Sequence, residues 1–464
     1  MLSDAIWGYA ETGFEEHASS AALRVALEAE GFSVESPLAG IDTAFVASFG
    51  SGKPVIALLG EFDALPSSSQ AAGRWHRMET VPGGNGHGCG HNLLGVGSLA
   101  AAIVAKEYLE SAGIPGTVRY YGCPGEEFGS GKTFMARSGS FEGVDLALTW
   151  HPGDVNCVLQ AGTLANLSVY FSFKGKASHA AASPHLGRSA LDAVELMNVG
   201  ANYLREHMIP EARIHYAITD AGGRAPNVVQ ERAESFYFAR APRVDQAREL
   251  YSRLVDVAKG AALMTGTELE VSFAQGLSDY LPNRVAGELL QRRMEEAGVP
   301  RFGEAERELA RRFRESLAVS DIASATAQAR FFQGAEIARR LEAGPLAEVV
   351  GPLARSDFRL PGSTDVGDVS QIVPTGQVVL ACAAFGTAPH TWQFAAQAGS
   401  AIGHEGMFAA ARVLGLAAID ALRDPSIARR AGVELRERTG GAYSCPIPES
   451  VKPGDVRLNA RVAG

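Results

Sequence analysis

Cysteine is scarce and scattered, with five residues at positions 89, 123, 157, 382 and 445 in a chain of 464. An odd, irregular set excludes a disulfide framework and fits a reducing compartment. Long apolar runs are also lacking, and none reaches the ~18 residues that a membrane-spanning helix needs. The opening residues, MLSDAIWGYAETGFEE, carry acids where a secretory leader has a basic region and an apolar core. A cytoplasmic protein is expected. Positive charge is in deficit, with 42 Lys and Arg against 52 Asp and Glu, a net −10. Neither nucleic acid nor an anionic membrane surface is therefore expected as the main partner. There is no internal repeat or low-complexity tract, and no GxGxxG or GxxxxGK[ST], which argues against a dinucleotide oxidoreductase or a phosphate-cradling loop.

What is present is organised around residues 54–94. The apolar run Val55–Leu59 ends in Glu61 and Asp63, as a parallel strand delivering carboxylates to its C-terminal edge would. About two dozen residues on, GGNGHGCGHNLLG places His87, Cys89 and His91 just before a long apolar-faced helix, 93–110. Cys89 and His91 suit a divalent cation. A structural zinc site would need a second local Cys/His pair, and none follows. A catalytic metal site would draw its other ligands from distant strands, whereas an ordinary loop with a buried thiol would need none. The helix N-terminus is expected to favour a thiolate at Cys89.

Further apolar strands end in groups able to bind metal or move protons. Residues 117–123 lead into PGEEFGSGK with Glu126 and Glu127; 145–150 lead into His151; 377–386 lead into TAPHTW with His390. In open α/β sheets, ligands gather beyond the C-terminal strand ends, so these groups can converge. Any single such His is more often structural, and Glu-Glu alone reads as a solvated turn. Two adjacent carboxylates can also divide labour, one binding metal and the other acting as base. Asp63 is expected to orient a ligand rather than bind; Glu61 could ligate. Asp365 and Asp368 could order their loop or approach the metal. His87 could ligate but reads first as a loop former or a support for a ligand, and His185 as structural.

Residues 164–275 change pattern to β-α-β-β-α-β, the ferredoxin-like split βαβ unit. His179 lies there in a Ser/Ala-rich loop, and Arg188 could meet either a substrate carboxylate or a surface acid. The fold class expected is α/β: a mixed, mostly parallel sheet between helices, interrupted by a ferredoxin-like α+β lid. The expected partition is 1–162 with 357–464, a lid over 163–284, and a helical insertion over 285–356 whose charges are simplest as solvated helix faces. The tail 440–464 reads as irregular.

Taken together, GEFDALP, NGHGCGHNLLG, YGCPGEEFGSGKTFM, LTWHP, SHAAASPHLGRSALDAVELM, APNVVQ, STDVGDVS and APHTWQ resemble the M20 metallopeptidase/amidohydrolase superfamily. The likeness spans about residues 55 to 410 and is closest to the aminobenzoyl-glutamate type in the amidohydrolase branch. The resemblance implies two divalent ions, zinc or manganese, held by Cys89, His91, Glu127, His151 and His390, with Cys89 as bridge and Glu126 as general base. It also implies a homodimer through the lid, or pairing with a paralogous subunit. In that dimer His179 would reach the partner's site to hold the oxyanion, and Asn227 would contact substrate. The expected substrate is an aromatic acyl-amino acid, p-aminobenzoyl-glutamate first. Other N-acyl or indole-acyl amino acids, dipeptides or aryl amides remain open, as does a metal-binding subunit that needs a different partner chain. Two positions depart from the family: Glu61-Phe-Asp63 replaces His-x-Asp, and Asn92 stands where relatives often have Asp.

Overall fold

The computed structural model describes residues 1–353 and 359–456. Seven strands form the main sheet: β1 Ser33–Glu35, β2 Phe45–Ser51, β3 Val55–Glu61, β4 Gly116–Cys123, β5 Leu146–Gly153, β6 Cys157–Val158 and, late in the chain, β11 Thr375–Ala381. Their order is β1-β2-β4-β3-β5-β11-β6. The inner four strands, β4-β3-β5-β11, run parallel and the flanking strands antiparallel. Consecutive side chains of the inner strands enter opposite cores. Ile56 and Leu58 join one cluster and Ala57 and Leu59 the other; Val118 and Tyr120 divide in the same way from Tyr121 and Cys123. A strand apolar on both faces must be covered by helices on both, which is why these runs read as continuous rather than alternating.

On one face lie α1 Leu2–Tyr9, α2 His17–Ala29, α3 His91–Ala112, α7 Arg284–Ala297 and α13 Ala401–Arg423. Helices α3 and α13 pack together, and small residues dominate their buried faces, among them Ala101, Ala102 and Ala105 on one and Ala410, Ala417 and Ala418 on the other. On the other face of the sheet are α4 Gly131–Arg137 and α11 Val366–Ile372.

Between β6 and β11 the chain makes a second sheet from β7 Ala165–Lys174, β8 Arg213–Asp220, β9 Arg232–Ala241 and β10 Glu268–Leu277, all antiparallel in the order β10-β7-β9-β8. Helices α5 Ala190–Leu204 and α6 Val244–Thr265 pack on it, completing the expected β-α-β-β-α-β unit.

In 285–356, α7 packs on the central sheet through Leu289 and Leu290. Helices α8 Glu304–Glu315, α9 Val319–Gln333 and α10 Ala335–Ala343 share a smaller cluster around Phe313 and Leu341. The end of that expected insertion (354–356) and the last residues of the tail lie outside the described residues. After β11 come α12 Trp392–Ala398 and, beyond α13, α14 Ser426–Thr439. No helix among the described residues is long and apolar enough to cross a membrane.

Candidate active site

Around the C-terminal ends of β3, β4 and β5, seven chemically active side chains meet. Donor atoms of Cys89, His91 and His151 all lie within 4.8 Å of one another; so do those of Cys89, Glu127 and His390, and those of Glu61, His91 and Glu126. Two of the groups share Cys89 and two share His91, so the three make one continuous cluster.

Each residue is placed by an identifiable local cause. Gly90 caps α3 at φ 76°, in the left-handed region, and a Cβ there would sit 3.0 Å from Pro152 and 3.1 Å from Phe394. Only glycine lets the Cys89/His91 turn approach β5 so closely. His91 is then the first residue of α3, and Cys89 Sγ lies 3.4 Å from His151 Nε2. His151 is inside β5 rather than after it, and its Nδ1 is 2.7 Å from the Pro152 carbonyl. That leaves Nε2 as the outward-facing donor atom. His390 departs further from expectation. Strand β11 ends at Ala381, so His390 is borne by the following loop, at φ 64° and exposed, and its N–H donates to the Gly88 carbonyl at 2.8 Å. The loop is pinned to the Cys89 turn instead of continuing the strand.

Asp63 stands behind the cluster. Its Oδ1 is 2.9 Å from His91 Nδ1, and its Oδ2 accepts the Glu127 N–H at 2.9 Å. One carboxylate therefore fixes the ring of one cluster member and the backbone of another.

A buried cation that sequence reasoning passed over sits beside Glu61. Lys132 is fully buried at the start of α4, with Nζ 2.8 Å from Glu61 Oε1 and 2.5 Å from Asp365 Oδ1, and its N–H donates to Asp365 Oδ2 at 2.8 Å. Burial works against a charged Glu61, but Lys132 and His91 hold it below the usual carboxylate range. Asp368 instead accepts from Thr133, Ser278 and Tyr443, tying α4 to the lid edge and the tail. Glu16 was also passed over; it accepts the Gly125 N–H at 2.8 Å and the Thr43 hydroxyl at 3.0 Å, fixing the Glu126–Glu127 turn.

The electrostatics divide the two glutamates. Burial, reinforced by Glu61 and Glu127, raises the proton affinity of Glu126. Burial acts the same way on Glu127, yet His390 and His91 overcome it and keep Glu127 ionised below the usual range. Burial and then His91 lower His151, keeping its ring neutral. At Cys89 burial, then Glu127, pushes the thiol up, so in the protein alone the helix N-terminus does not produce the expected thiolate. His87 is held down to about 3 by burial, with Nε2 3.0 Å from the Ile6 carbonyl, and belongs to none of the three groups.

The donor set fits divalent cations. His91 Nε2 and Glu127 Oε1 are buried and make no hydrogen bond, although carboxylate and imidazole partners lie 3.2 and 3.4 Å away. Imidazole, thiol and carboxylate atoms gathered in one place, two of them left without a hydrogen bond, are what borderline divalent ions bind.

The remaining expected site residues lie in the lid. His179 Nδ1 accepts the Ala181 and Ala182 N–H groups at 3.2 and 3.0 Å, so its neutral ring carries the proton on Nε2. The Ala180 N–H donates to the Asn227 carbonyl at 2.9 Å, which brings the His179 and Asn227 loops together. Among the described residues Arg188 meets neither a carboxylate nor the cluster; its guanidinium donates to the His185 and Gly187 carbonyls of its own loop. His404 is 2.7 Å from Asp4 and belongs to none of the three donor groups.

This is the build of a hydrolase, with groups able to hold cations gathered around Glu126, a half-buried carboxylate of raised proton affinity. Residues 57–381 match the Peptidase family M20/M25/M40. The chain belongs to that family and is a hydrolase acting on amide bonds. It is 46% identical over 460 residues, 98% of this chain and 96% of the other, to a p-aminobenzoyl-glutamate hydrolase subunit of Escherichia coli (strain K12). The fold matches a dinuclear metal-binding peptidase of the M20 family from Bacillus subtilis, with a TM-score of 0.56, 17% identity, and 91% and 97% of the two chains covered. It also matches an aminobenzoyl-glutamate utilization protein from Klebsiella pneumoniae, with a TM-score of 0.57, 17% identity and coverage of 90% and 94%.

Proposed function

We propose that the chain hydrolyses the amide bond of an aromatic acyl-amino acid of the p-aminobenzoyl-glutamate type. The observation that carries this reading is the pair of donor groups sharing Cys89 beside Glu126, in a chain so similar to a p-aminobenzoyl-glutamate hydrolase subunit. Cys89, His91 and His151 would hold one divalent ion and Cys89, Glu127 and His390 a second, zinc or manganese in either place. Such ions supply Lewis acidity, polarising the amide carbonyl and acidifying water toward neutral pH.

The chain's own groups do the rest. Glu126, raised in proton affinity, takes a proton from the attacking water as its oxygen bonds to the carbonyl carbon. It returns that proton to the amide nitrogen as the C–N bond breaks, releasing a carboxylic acid and an amine. Glu61, held ionised beside Lys132, adds its negative charge to the field that keeps a proton on Glu126. His179, with its Nε2 hydrogen, donates to the carbonyl oxygen as charge develops there, and Asn227 contacts substrate from the same edge of the lid. Arg188 holds its loop by the bonds described and meets a substrate carboxylate only if these are exchanged.

The partition into catalytic segments 1–162 and 357–464, lid 163–284 and insertion 285–356 belongs to this proposal, as does a cytoplasmic location. The lid is also proposed as the dimer surface. Strand β8 is an edge of its sheet, and Tyr216 and Ile218 on it, with Leu196, Val199 and Tyr203 on α5, are exposed. Exposed apolar groups beside an open strand edge call for a covering chain. A second copy would fit, and so would a different chain, a reading favoured because the Escherichia coli relative is itself one subunit of its hydrolase.

The test is hydrolysis of p-aminobenzoyl-glutamate by purified protein loaded with manganese or zinc, beside Glu126→Gln. Turnover that disappears in a metal-replete variant supports the reaction and the base. Silence from metal-loaded wild type, alone and with a paralogous subunit, rejects the substrate; failure to bind metal rejects the reaction.

A further inference from the structure

Helix α9 forms one wall of a cavity of about 290 Å³ that opens beside the donor cluster. The facing wall is the β5–β6 turn, with His151, Asp154 and Cys157; Ala325, Ala329 and Phe332 of α9 complete it, and Pro389 stands at the side next to His390. We propose that this cavity binds the aromatic ring of the substrate's acyl half, and that α9 determines selectivity for it.

Three observations carry this inference, which rests on the hydrolase reading above. The first is continuity. His151 lines the cavity and reaches Cys89 with its Nε2, while Pro389 adjoins His390. In an aroyl amide the ring is bonded directly to the reacting carbonyl carbon, so its pocket must share a wall with the groups that act on that carbon. A pocket for a long acyl chain would not need to.

The second is the character of the walls. Apolar side chains dominate them, the rings of Phe332 and Phe385 included, and no Lys or Arg is among the described residues lining the cavity. Two glutamate carboxylates would be stripped of water there with no cation to meet them, whereas an aryl ring gains from apolar contact. The amino-acid half must therefore leave the cluster in another direction.

The third is origin. One wall comes from α9, whose buried Ala329 packs in the smaller cluster with α8 and α10 and not in the main core. That cluster also takes in Ala381 at the end of β11 and Phe385 just after it, so the ring pocket is assembled where α9 docks beside the sheet. Its width can be changed on the α9 side without touching a strand that bears a cluster residue.

The experiment narrows the cavity from α9 with Ala325→Leu and, separately, Gln328→Trp, the latter at an exposed lining position where a larger side chain leaves the core intact. For wild type and both variants, kcat/KM is measured with p-aminobenzoyl-glutamate and with N-acetyl-glutamate, whose acyl group carries only a methyl. Binding of 4-aminobenzoate is followed by calorimetry. The ratio of the two kcat/KM values should shift about tenfold against the aryl substrate in at least one variant, and 4-aminobenzoate should bind more weakly. An unchanged ratio and unchanged 4-aminobenzoate binding in two folded variants overturns the pocket while leaving the reaction standing. Wild type that binds 4-aminobenzoate, loses it in the variants, and hydrolyses neither amide keeps the pocket and rejects p-aminobenzoyl-glutamate as the substrate.

Discussion

Asp63 holds two members of the cluster at once, His91 through the ring at 2.9 Å and Glu127 through the backbone at 2.9 Å. Asp63→Asn can accept from one of these N–H groups but not from both. Metal affinity should fall about 10- to 100-fold with the fold intact. Competition with a chelating indicator, alongside circular dichroism, checks this; wild-type affinity in the variant would show that Asp63 does not orient the ligands.

Lys132 lies between Glu61 and Asp365 with no exposed surface. Lys132→Met strands two buried carboxylates and should cost about 3–5 kcal/mol of stability in the metal-free protein. Adding Glu61→Gln and Asp365→Asn should recover part of that loss, because the stranded charges are then gone. Urea unfolding of the single and triple variants decides the matter. A triple variant no more stable than the single one would place the cost in packing rather than charge.

Asp154 is half-buried and accepts the Gly386 N–H at 2.9 Å, and burial pushes it up to about 6 from 3.8. The folded chain thus binds this proton more tightly than the unfolded chain. Its contribution to stability is fullest below pH 4 and declines as pH rises toward 6. With water still reaching the group, the decline should be on the order of 1–2 kcal/mol. Asp154→Asn keeps the acceptor and removes the titration, so wild type minus variant should slope downward between pH 4 and 6 and be flat above. Chemical denaturation across that range measures it.

If His179 serves its partner's site, two inactive proteins should repair each other. Mixing Glu126→Gln with His179→Ala and allowing subunits to exchange leaves one intact site in each mixed dimer. About a quarter of wild-type activity should return. No recovery, with exchange demonstrated by mass spectrometry, would place His179 in its own subunit's site or outside catalysis.

Much of this arrangement can be read from the chain because the relevant signals are local. Val55–Leu59 is apolar at every position because β3 is covered on both faces, and the glycines around Cys89 mark a turn that must approach another strand closely. Hydropathy alone puts His390 at a strand end, because the chain stays apolar and buried through Phe385 after β11 has stopped. A buried loop and a strand look the same to it. Lys132 escapes for the opposite reason. A lysine beginning a helix reads as a solvated residue, and only carboxylates from elsewhere in the chain make its burial tolerable. Glu16 is hidden likewise, since the groups that donate to it, on Gly125 and Thr43, are remote from it in sequence.

The bond from His390 N–H to the Gly88 carbonyl also bears on how the protein comes into being. Cys89 emerges early in synthesis and His390 late, with the lid and the helical segment made between them. A ribosome-bound chain can shape the first strands and the Cys89 turn, but it cannot close the second group of donor atoms until His390 has been made. Full occupancy by metal would therefore report that synthesis had passed His390, and products truncated before it would be left with an incomplete claim on the cell's cations.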